Sequence, residues 1–221
     1  MDHKFILIVS TPRSASTTLQ RILNTIPNSN INGENCGAIV NILECYRNIK
    51  KTVKLLPKNP NGQFMSSVLL EKWNVKPCFY NIFDFESVKK QIQDLIVNIL
   101  SNNKNYKIIG FKEIRWFEHI ELLNEFLELF PNTKIVCHIQ EDIQSQANST
   151  FFNSEGTYHY LKEYTEEIVK YVDKNDSCYL STREKLFDFK NIQNMCVYLE
   201  ELISEEDYLK IINSDPENKN K

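Results

Sequence analysis

Residues 5–23 constrain the fold most, because they read as an apolar strand, a hydroxyl-rich loop and an amphipathic helix in immediate succession. The first backbone N–H groups of a helix have no intrahelical partner, and the helix macrodipole places partial positive charge there. A strand that feeds such a helix through a short loop therefore creates a site for an anion. The loop also contains four hydroxyl side chains and one permanently charged guanidinium, at Arg13, Ser14, Ser16, Thr17 and Thr18. This segment predicts a phosphate or sulfate site.

Apolar runs typical of buried strands alternate with helical periodicity along the rest of the chain. The predicted strands begin at Phe5, Lys107, Lys134 and Cys178. The predicted helices cover residues 17–26, 36–49, 86–100, 117–130, 142–151, 157–172 and 192–202, and a capping box at 204–207 opens a last helix. Ser154 or Thr157 is a candidate cap for the helix over 157–172. This alternation favours an α/β fold, a three-layer α/β/α sandwich around a parallel sheet of about four or five strands.

The chain has 221 residues, which is the size of one ordinary α/β domain. We expect a single domain over residues 1–212 and a disordered polar tail over 213–221, where the sequence is NSDPENKNK. Residues 55–62 are rich in proline, asparagine and glycine, so they are expected to form a loop and are a candidate substrate lid.

Charge and hydropathy exclude several classes of partner. The formal net charge is −3, which gives no basic surface for nucleic acid. No apolar stretch approaches the roughly 18–20 residues that span a bilayer, and the N-terminus does not resemble a signal peptide. The six cysteines are scattered without a C-x-x-C motif, and the four histidines are dispersed. We therefore expect reduced, mostly buried thiols, no metal site, no membrane association and a cytoplasmic location.

The loop lacks both common nucleotide motifs. It has neither glycine nor lysine between Ser10 and Thr18, so it is not a G-x-x-x-x-G-K-[ST] loop, and G-x-G-x-x-G is absent too. It resembles the 5′-phosphosulfate loop of the PAPS-dependent sulfotransferases, whose carbohydrate and tyrosyl-protein branches carry T-P-R-S-G-[ST]-T. Thr11, Pro12, Arg13, Ser14, Ser16 and Thr17 match this pattern, and Ala15 replaces its glycine. If residue 15 needs a positive φ, alanine costs on the order of 1 kcal/mol there. The alternative is an ordinary turn whose hydroxyls cap the helix.

A second segment, Ile31 to Gly37, contains a carboxylate between two glycines. It is similar to the G-E-N-x-G stretch of some bacterial-type sulfotransferases, and in trehalose-type members a glutamate at about this place is regarded as the base. The resemblance makes Glu34 a candidate general base for an acceptor hydroxyl. The alternative is that Glu34 only caps or opens the helix that begins near Cys36, where a carboxylate is stabilising by itself.

A third segment, Gly110-Phe111-Lys112-Glu113-Ile114-Arg115, follows a predicted strand and resembles the G-F-K-E-I-R block of the same branch. In a parallel sheet, ligands bind beyond the carboxyl ends of the strands. Lys112 and Arg115 are therefore candidates for contact with the phosphosulfate or an anionic acceptor, and Lys112 for a catalytic role in stabilising the leaving phosphate. The alternative is a surface ion pair with Glu113 or Glu118, which contributes little to stability.

The lead into the strand at Lys134 is similar to the family's approach to its 3′-phosphate strand, which ends in an arginine followed by a serine eight or nine residues later. Here Gln140 occupies the place closest to that arginine, and Ser149 has the better serine spacing. A glutamine offers only neutral donors to a phosphate. His138 is either a partial substitute when protonated or a strand-end residue bonded to backbone. Residues 183–186 weakly match the family's Y-E-D-L turn.

The resemblance implies a sulfotransferase with a P-loop-like fold that moves a sulfuryl group from PAPS, leaving PAP, to a hydroxyl or amine of a carbohydrate-like or other small acceptor. It implies that the nucleotide is bound by residues 11–18 with Gln140 and Ser149, and that Arg13 also has a catalytic role, in taking up charge on the departing phosphate. Two alternatives stay open: an impaired, nucleotide-binding member of the fold, suggested by Ala15 and Gln140, and a nucleotide or metabolite kinase. The missing loop lysine argues against the kinase. The acceptor and the oligomeric state are not indicated.

Overall fold

The centre of the fold is strand β1 (Lys4–Ser10), in a computed structural model that describes residues 3–55, 83–102, 104–149 and 156–214. Four further strands complete a parallel sheet in the order β2-β3-β1-β4-β5. They are β2 (Ser29–Asn32), β3 (Ile108–Glu113), β4 (Thr133–Ile139) and β5 (Cys178–Thr182). Strands β1 and β3 are almost wholly buried, as expected of parallel strands covered on both faces.

Helices cover both faces of the sheet. The described helices are α1 (Ser16–Leu23), α2 (Ala38–Leu55), α3 (Phe85–Ser101), α4 (Leu123–Leu129), α5 (Ile143–Ala147), α6 (Thr157–Val172), α7 (Arg183–Leu186), α8 (Phe189–Leu199) and α9 (Glu205–Ser214). Phe5, Leu7 and Val9 pack on one face against α2, α3, α4 and α6. Ile6 and Ile8 pack on the other face against α1, α8 and α9. This confirms the predicted three-layer α/β/α sandwich with a parallel sheet.

One strand and one helix illustrate how the structure departs from the prediction. Strand β2 was not predicted, because its sequence Ser-Asn-Ile-Asn contains only one apolar residue, Ile31. The helix predicted over 117–130 is shorter: a 3₁₀ turn at Ile120–Leu122 precedes α4. Glu118 adopts a left-handed φ of 62°, so a continuous right-handed helix cannot pass through residue 118.

The helix caps are confirmed in one case and corrected in another. The backbone N–H of Asp207 donates to Ser204 Oγ over 3.1 Å, so the predicted cap of the last helix is confirmed. Thr157, in contrast, is the first residue of α6 and not its cap, because Gly156 holds the cap position with a φ of 96°. Ser154 lies outside the described residues, as do the candidate lid from residue 56 onward and the tail from residue 215.

Two expectations about the whole chain, on its thiols and on membrane-spanning segments, can be compared with the structure. The cysteines at positions 36, 45, 137, 178 and 196 are free, but Cys36 and Cys45 are exposed, so the prediction of mostly buried thiols is only partly right. Over the ranges that the structure describes, no helix is long and apolar enough to cross a membrane.

The sheet brings the sequence motifs to one edge. The parallel register pairs Ser10 with His138 and Val9 with Glu113, so β1, β3 and β4 end at the same level. Thr182 pairs with Ile139 at the end of β5. The segments that follow these strands therefore share the carboxyl edge of the sheet, where parallel α/β folds bind their ligands.

Candidate functional site

The loop between β1 and α1 turns sharply through two left-handed residues. Arg13 has a φ of 64° and Ala15 a φ of 63°. Ala15 is the N-cap residue of α1, and its methyl side chain supplies no acceptor for the first helical amides. Only glycine adopts such a φ without steric cost, so the condition under which an alanine at position 15 is costly is met.

Buried hydrogen bonds fix this loop from within and from β4 and α5. The Ser14 hydroxyl donates to the Thr11 carbonyl over 2.8 Å. Gln146 of α5 donates through Nε2 to Thr11 Oγ1 over 2.9 Å and to the Pro12 carbonyl over 2.5 Å. The Ser14 hydroxyl is thus engaged inside the loop, and it shapes the loop instead of projecting from it.

His138 holds the loop from the neighbouring strand. Its Nε2 lies 2.7 Å from the Ser14 carbonyl oxygen, which only accepts, so Nε2 carries the proton. Its Nδ1 then accepts from the Ser181 hydroxyl, 3.1 Å away. The ring is fully buried, and this burial lowers the pKa of His138 to about 4. The histidine is therefore neutral near pH 7 with both nitrogens engaged, which contradicts the idea that it substitutes for a phosphate-binding arginine.

The side chains of the loop divide by exposure. Arg13 and Thr17 are exposed, whereas Thr11, Pro12, Ser14, Ala15, Ser16 and Thr18 are buried. Arg13 donates through Nε to Ser149 Oγ over 3.3 Å. The structure thus brings two predicted ligand residues together across 136 positions of sequence. With the amides at the start of α1, the solvent-facing surface of this loop offers hydrogen-bond donors and positive charge to an anion.

A second cluster lies at the end of β3. Lys112 Nζ donates to Glu34 Oε1, and Arg115 Nη1 donates to Glu34 Oε2 over 3.0 Å. Lys112 is buried, with 7% of its side chain exposed, whereas 29% of the Glu34 side chain is exposed. Burial alone would raise the pKa of Glu34, but the hydrogen bonds and charges of Lys112 and Arg115 hold it below its ordinary value. Glu34 is therefore a carboxylate at neutral pH, between two cations and in contact with solvent.

Glu113 positions this cluster and was not among the predicted site residues. Its side chain has no exposed surface, and Arg115 Nη1 donates to its Oε1 over 2.7 Å. Its Oε2 accepts from the backbone N–H groups of Gly37, at 3.0 Å, and Asn35, at 3.3 Å. One buried carboxylate thus fastens the turn that carries Glu34 to the end of β3.

The geometry contradicts the interpretation of Glu34 as a helix cap. Asn35 Oδ1 accepts from the backbone N–H of Ile39, 3.2 Å away in the first turn of α2. The Glu34 carboxylate instead faces Lys112 and Arg115. The ion-pair alternative is wrong for Lys112, which is buried and paired with Glu34, whereas Arg115 does pair with Glu113.

The last predicted ligand, Gln140, lies just beyond β4 and is 2% exposed. It donates through Nε2 to the Asp142 carbonyl over 3.1 Å and accepts at Oε1 from Arg183 Nη1 over 3.1 Å. Within the described ranges, Gln140 and Ser149 make no hydrogen bond with each other, since Ser149 Oγ contacts Arg13. The structure therefore connects Gln140 to Arg183 at the start of α7, and Ser149 to the β1–α1 loop.

The sequence analysis did not predict three residues at this edge as site residues: Glu113, Gln146 and Arg183. The position of Glu113 after a buried strand was a usable signal. Gln146 gave none, because a glutamine in a short helix has no distinctive pattern. Among the side chains that the structure describes, no group of three or more histidines, cysteines, aspartates or glutamates is placed to hold a metal ion.

Comparisons with known proteins agree with this architecture. The model of the Sulfotransferase family matches residues 6–207. A sequence comparison with curated proteins gives no match. The sulfotransferase domain of the curacin biosynthetic pathway has a TM-score of 0.56 at 15% identity, over 97% of this chain and 79% of that one.

Two further solved structures are similar. The sulfotransferase domain of the Synechococcus PCC 7002 olefin synthase has a TM-score of 0.56 at 16% identity, over 97% of this chain and 80% of that one. The sulfotransferase STF1 from Mycobacterium tuberculosis H37Rv has a TM-score of 0.50 at 11% identity, over 97% of this chain and 72% of that one. At such identities these structures support the fold, and the match to the family model carries the assignment.

Proposed function

The chain belongs to the sulfotransferase family, and from that premise we propose that it transfers a sulfuryl group from PAPS to the hydroxyl or amine of a carbohydrate-like or other small acceptor. The observation that carries this proposal is the internally hydrogen-bonded β1–α1 loop, whose exposed Arg13 and uncapped helix start lie at the carboxyl edge of the sheet. In the reaction, the acceptor atom forms a bond to sulfur while the bond between sulfur and the bridging oxygen of the 5′-phosphate breaks. PAP leaves, and the acceptor loses a proton.

The loop is proposed to hold the 5′-phosphosulfate, the doubly anionic end of the donor. The amides at the start of α1 and the Thr17 hydroxyl are donors, and Arg13 contributes a permanent positive charge. Internal bonds from Ser14, His138 and Gln146 keep these donors in place before the ligand arrives. Donors that are already in place stabilise the developing charge of a transition state better than bulk water does, because they need no rearrangement.

Glu34 is proposed to accept the proton of the attacking group. Its low pKa keeps it deprotonated at neutral pH, and its partial exposure leaves it accessible to an acceptor. Lys112 is proposed to stabilise negative charge on the departing phosphate. Because Lys112 already contacts Glu34, base and cation belong to one connected group.

Binding and transfer assays test this proposal with a charge-matched pair of variants. Arg13→Gln should weaken PAP binding by about tenfold or more, since a charge-assisted hydrogen bond contributes about 1.5–3 kcal/mol. Arg21→Gln removes the same charge from the last turn of α1, where Arg21 contacts Ser214, and should leave PAP binding unchanged. The wild type should move labelled sulfate from PAPS to some member of a broad acceptor panel.

Three other outcomes identify the alternatives. PAP binding without transfer to any acceptor would indicate an impaired, nucleotide-binding member of the fold. Thermal stabilisation by Mg-ATP but not by PAP would indicate a kinase. Equal PAP affinity of wild type and Arg13→Gln would refute the assigned role of the loop.

A further inference from the structure

Arg115 lies beside the proposed base with one edge of its guanidinium uncommitted. Its Nη1 donates to Glu34 Oε2 over 3.0 Å and to Glu113 Oε1 over 2.7 Å, which uses both protons of that nitrogen. Among the residues that the structure describes, no group accepts from its Nε or its Nη2. The side chain is 46% exposed, so these remaining N–H donors are available to a ligand.

We propose that Arg115 binds an anionic group of the acceptor, an assignment that rests on the proposed function and narrows its acceptor class. The acceptor is thus an alcohol or amine that also carries a carboxylate, phosphate or sulfate. Nε and Nη2 present two parallel N–H groups, which match two oxygens of such an anion in a bidentate contact. An acceptor held there can place its hydroxyl at Glu34, because the same guanidinium contacts that carboxylate.

The guanidinium is held in place by its own surroundings. Glu113 has no exposed side-chain surface, and its other oxygen accepts from the backbone N–H groups of Asn35 and Gly37. The methylene chain of Arg115 lies beside Gly37, where an added Cβ would be 3.7 Å from Arg115 Cδ. An arginine fixed in this way loses less side-chain freedom on binding than a free surface arginine does. Arg115 is therefore prepared for a ligand.

The charges of this cluster leave the guanidinium edge as the part that attracts a charged ligand. The Glu113 carboxylate is buried, and each oxygen of Glu34 already accepts from a cation, Lys112 or Arg115. The groups that remain open toward solvent on Arg115 are all donors on a permanent positive charge. This edge therefore favours an anion over a neutral or cationic group.

The bound anion also acts on the base. Burial raises the pKa of Glu34, but Lys112 and Arg115 hold it below its ordinary value, which makes the carboxylate a weak proton acceptor. A general base works best when its pKa lies near the working pH. An anion on the free edge of Arg115 offsets part of that positive charge, so it raises the pKa of Glu34. The acceptor class that this edge selects thus strengthens the base that deprotonates it.

Matched acceptor pairs test the assignment in the wild-type protein. Each pair is a neutral alcohol and a close analogue that carries an anion, such as methyl glucoside with methyl glucuronide, and glucose with glucose 6-phosphate. With labelled PAPS, the anionic member of the best pair should have a kcat/KM about tenfold or more above its neutral partner. Equal or lower values for every anionic member would overturn the assignment.

The variant Arg115→Gln assigns this preference to one side chain. The ratio of the two kcat/KM values should fall to within about threefold of one, while PAP affinity stays within about twofold of wild type. Arg47→Gln removes the same charge from α2, where Arg47 pairs with Glu44, and should leave the ratio unchanged. An equal loss for both members would place Arg115 on the phosphosulfate, and this outcome, like an unchanged preference, would overturn the assignment.

Two further measurements cover the other cases. If Arg115→Gln does not fold, Arg115→Lys keeps the positive charge without the paired N–H groups, so the ratio should fall between the wild-type value and one. If no member is sulfated, titration of the same pairs into the PAP complex should show about tenfold tighter binding of an anionic member, and equal binding would contradict the assignment. A wild type that binds no PAP refutes the proposed function itself, whereas transfer to neutral members alone refutes only the role of Arg115.

Discussion

Single residues set the shape of the β1–α1 loop, and His138 is the most informative of them. The ring donates to the Ser14 carbonyl and accepts from Ser181, so it connects β4 and β5 to the loop. Its role depends on neutrality, because a protonated ring has no acceptor for the Ser181 hydroxyl and lies in surroundings that exclude water. The sequence alone placed His138 at a strand end but did not distinguish a phosphate contact from a backbone contact.

Protonation of His138 should couple the stability of the protein to pH. The folded pKa of about 4 lies below the ordinary value of 6.5, so between these pH values the unfolded chain binds a proton that the folded chain excludes. The free energy of unfolding should therefore fall as the pH decreases from about 6.5 to about 4, by up to about 3 kcal/mol. Urea unfolding at a series of pH values measures this slope.

Two variants separate His138 from the other titrating groups. His138→Gln keeps a donor for the Ser14 carbonyl and removes the titration, so the acid slope should flatten even if stability at pH 7 decreases. His159→Gln, at an exposed histidine, should keep the wild-type slope. An unchanged slope in His138→Gln would show that other groups cause the acid sensitivity.

Ala15 carries a conformational cost that glycine would avoid. Its φ of 63° lies in the left-handed region, which costs a residue with a Cβ about 1–2 kcal/mol. Ala15→Gly removes this cost but also gives the unfolded chain more conformational freedom, which opposes the gain. The net effect should be an increase of about 0.5–1 kcal/mol in the free energy of unfolding. Ala38→Gly, in the right-handed first turn of α2, is the control and should lower stability. Destabilisation by Ala15→Gly would mean that the left-handed conformation is not present.

Among the elements, the turn between β2 and α2 depends most on distant sequence. Glu113 at the end of β3 binds two backbone amides of this turn, and Lys112 binds the carboxylate of Glu34 in the same turn. The sequence identified Glu34, Lys112 and Arg115 as candidates, but only the pairing of β2 with β3 brings them together. That pairing was not predictable, because β2 is short and polar and lacks the apolar run that marks a buried strand.

Glu34→Gln tests the proposed base within this element. Turnover should fall by about a hundredfold or more, because a positioned general base contributes roughly 10²–10⁴ in rate. PAP affinity should stay within about twofold, since Glu34 is assigned to the acceptor side of the reaction. Glu44→Gln, which removes a partly exposed carboxylate of α2 that pairs with Arg47, should leave turnover unchanged. Full turnover in Glu34→Gln would refute the base, and a lowered melting temperature with normal turnover would make Glu34 structural.

Gly110 illustrates a motif residue whose importance is steric. A Cβ at this position in β3 would lie 1.8 Å from the Ile6 carbonyl oxygen of β1, far inside van der Waals contact. The glycine of the Gly110–Arg115 block therefore permits two central strands to pair closely. The chemistry of the block belongs to Lys112, Glu113 and Arg115, which follow at the carboxyl end of the strand.

For the whole molecule, the order of strands and helices was enough to predict the fold class. Buried strands have long apolar runs, and the helices between them have apolar residues at regular three- and four-residue intervals. These patterns predicted β1, β3, β4 and β5 and most of the helices around them, but not α7. The contacts between motifs were not available from the sequence, because Arg13 with Ser149 and Gln140 with Arg183 depend on the order β2-β3-β1-β4-β5.

The arrangement distributes the proposed tasks along one edge of the sheet. The β1–α1 loop in the middle is assigned to the 5′-phosphosulfate. The end of β3 and the turn after β2 are assigned to the acceptor proton and the leaving charge, and Gln140 and Ser149, beyond β4, to the 3′-phosphate. If these assignments hold, the strand order puts the donor nucleotide on the β4 side of the loop and the acceptor on the β2–β3 side. All of these assignments depend on the loop being an anion site.

A crystal structure of the complex with PAP tests that claim most directly. The account predicts that the 5′-phosphate oxygens accept hydrogen bonds of about 2.7–3.2 Å from the amides at the start of α1, with the Arg13 side chain beside them. A 5′-phosphate bound elsewhere on the molecule, or amides of residues 14–17 engaged by protein groups in the complex, would contradict it.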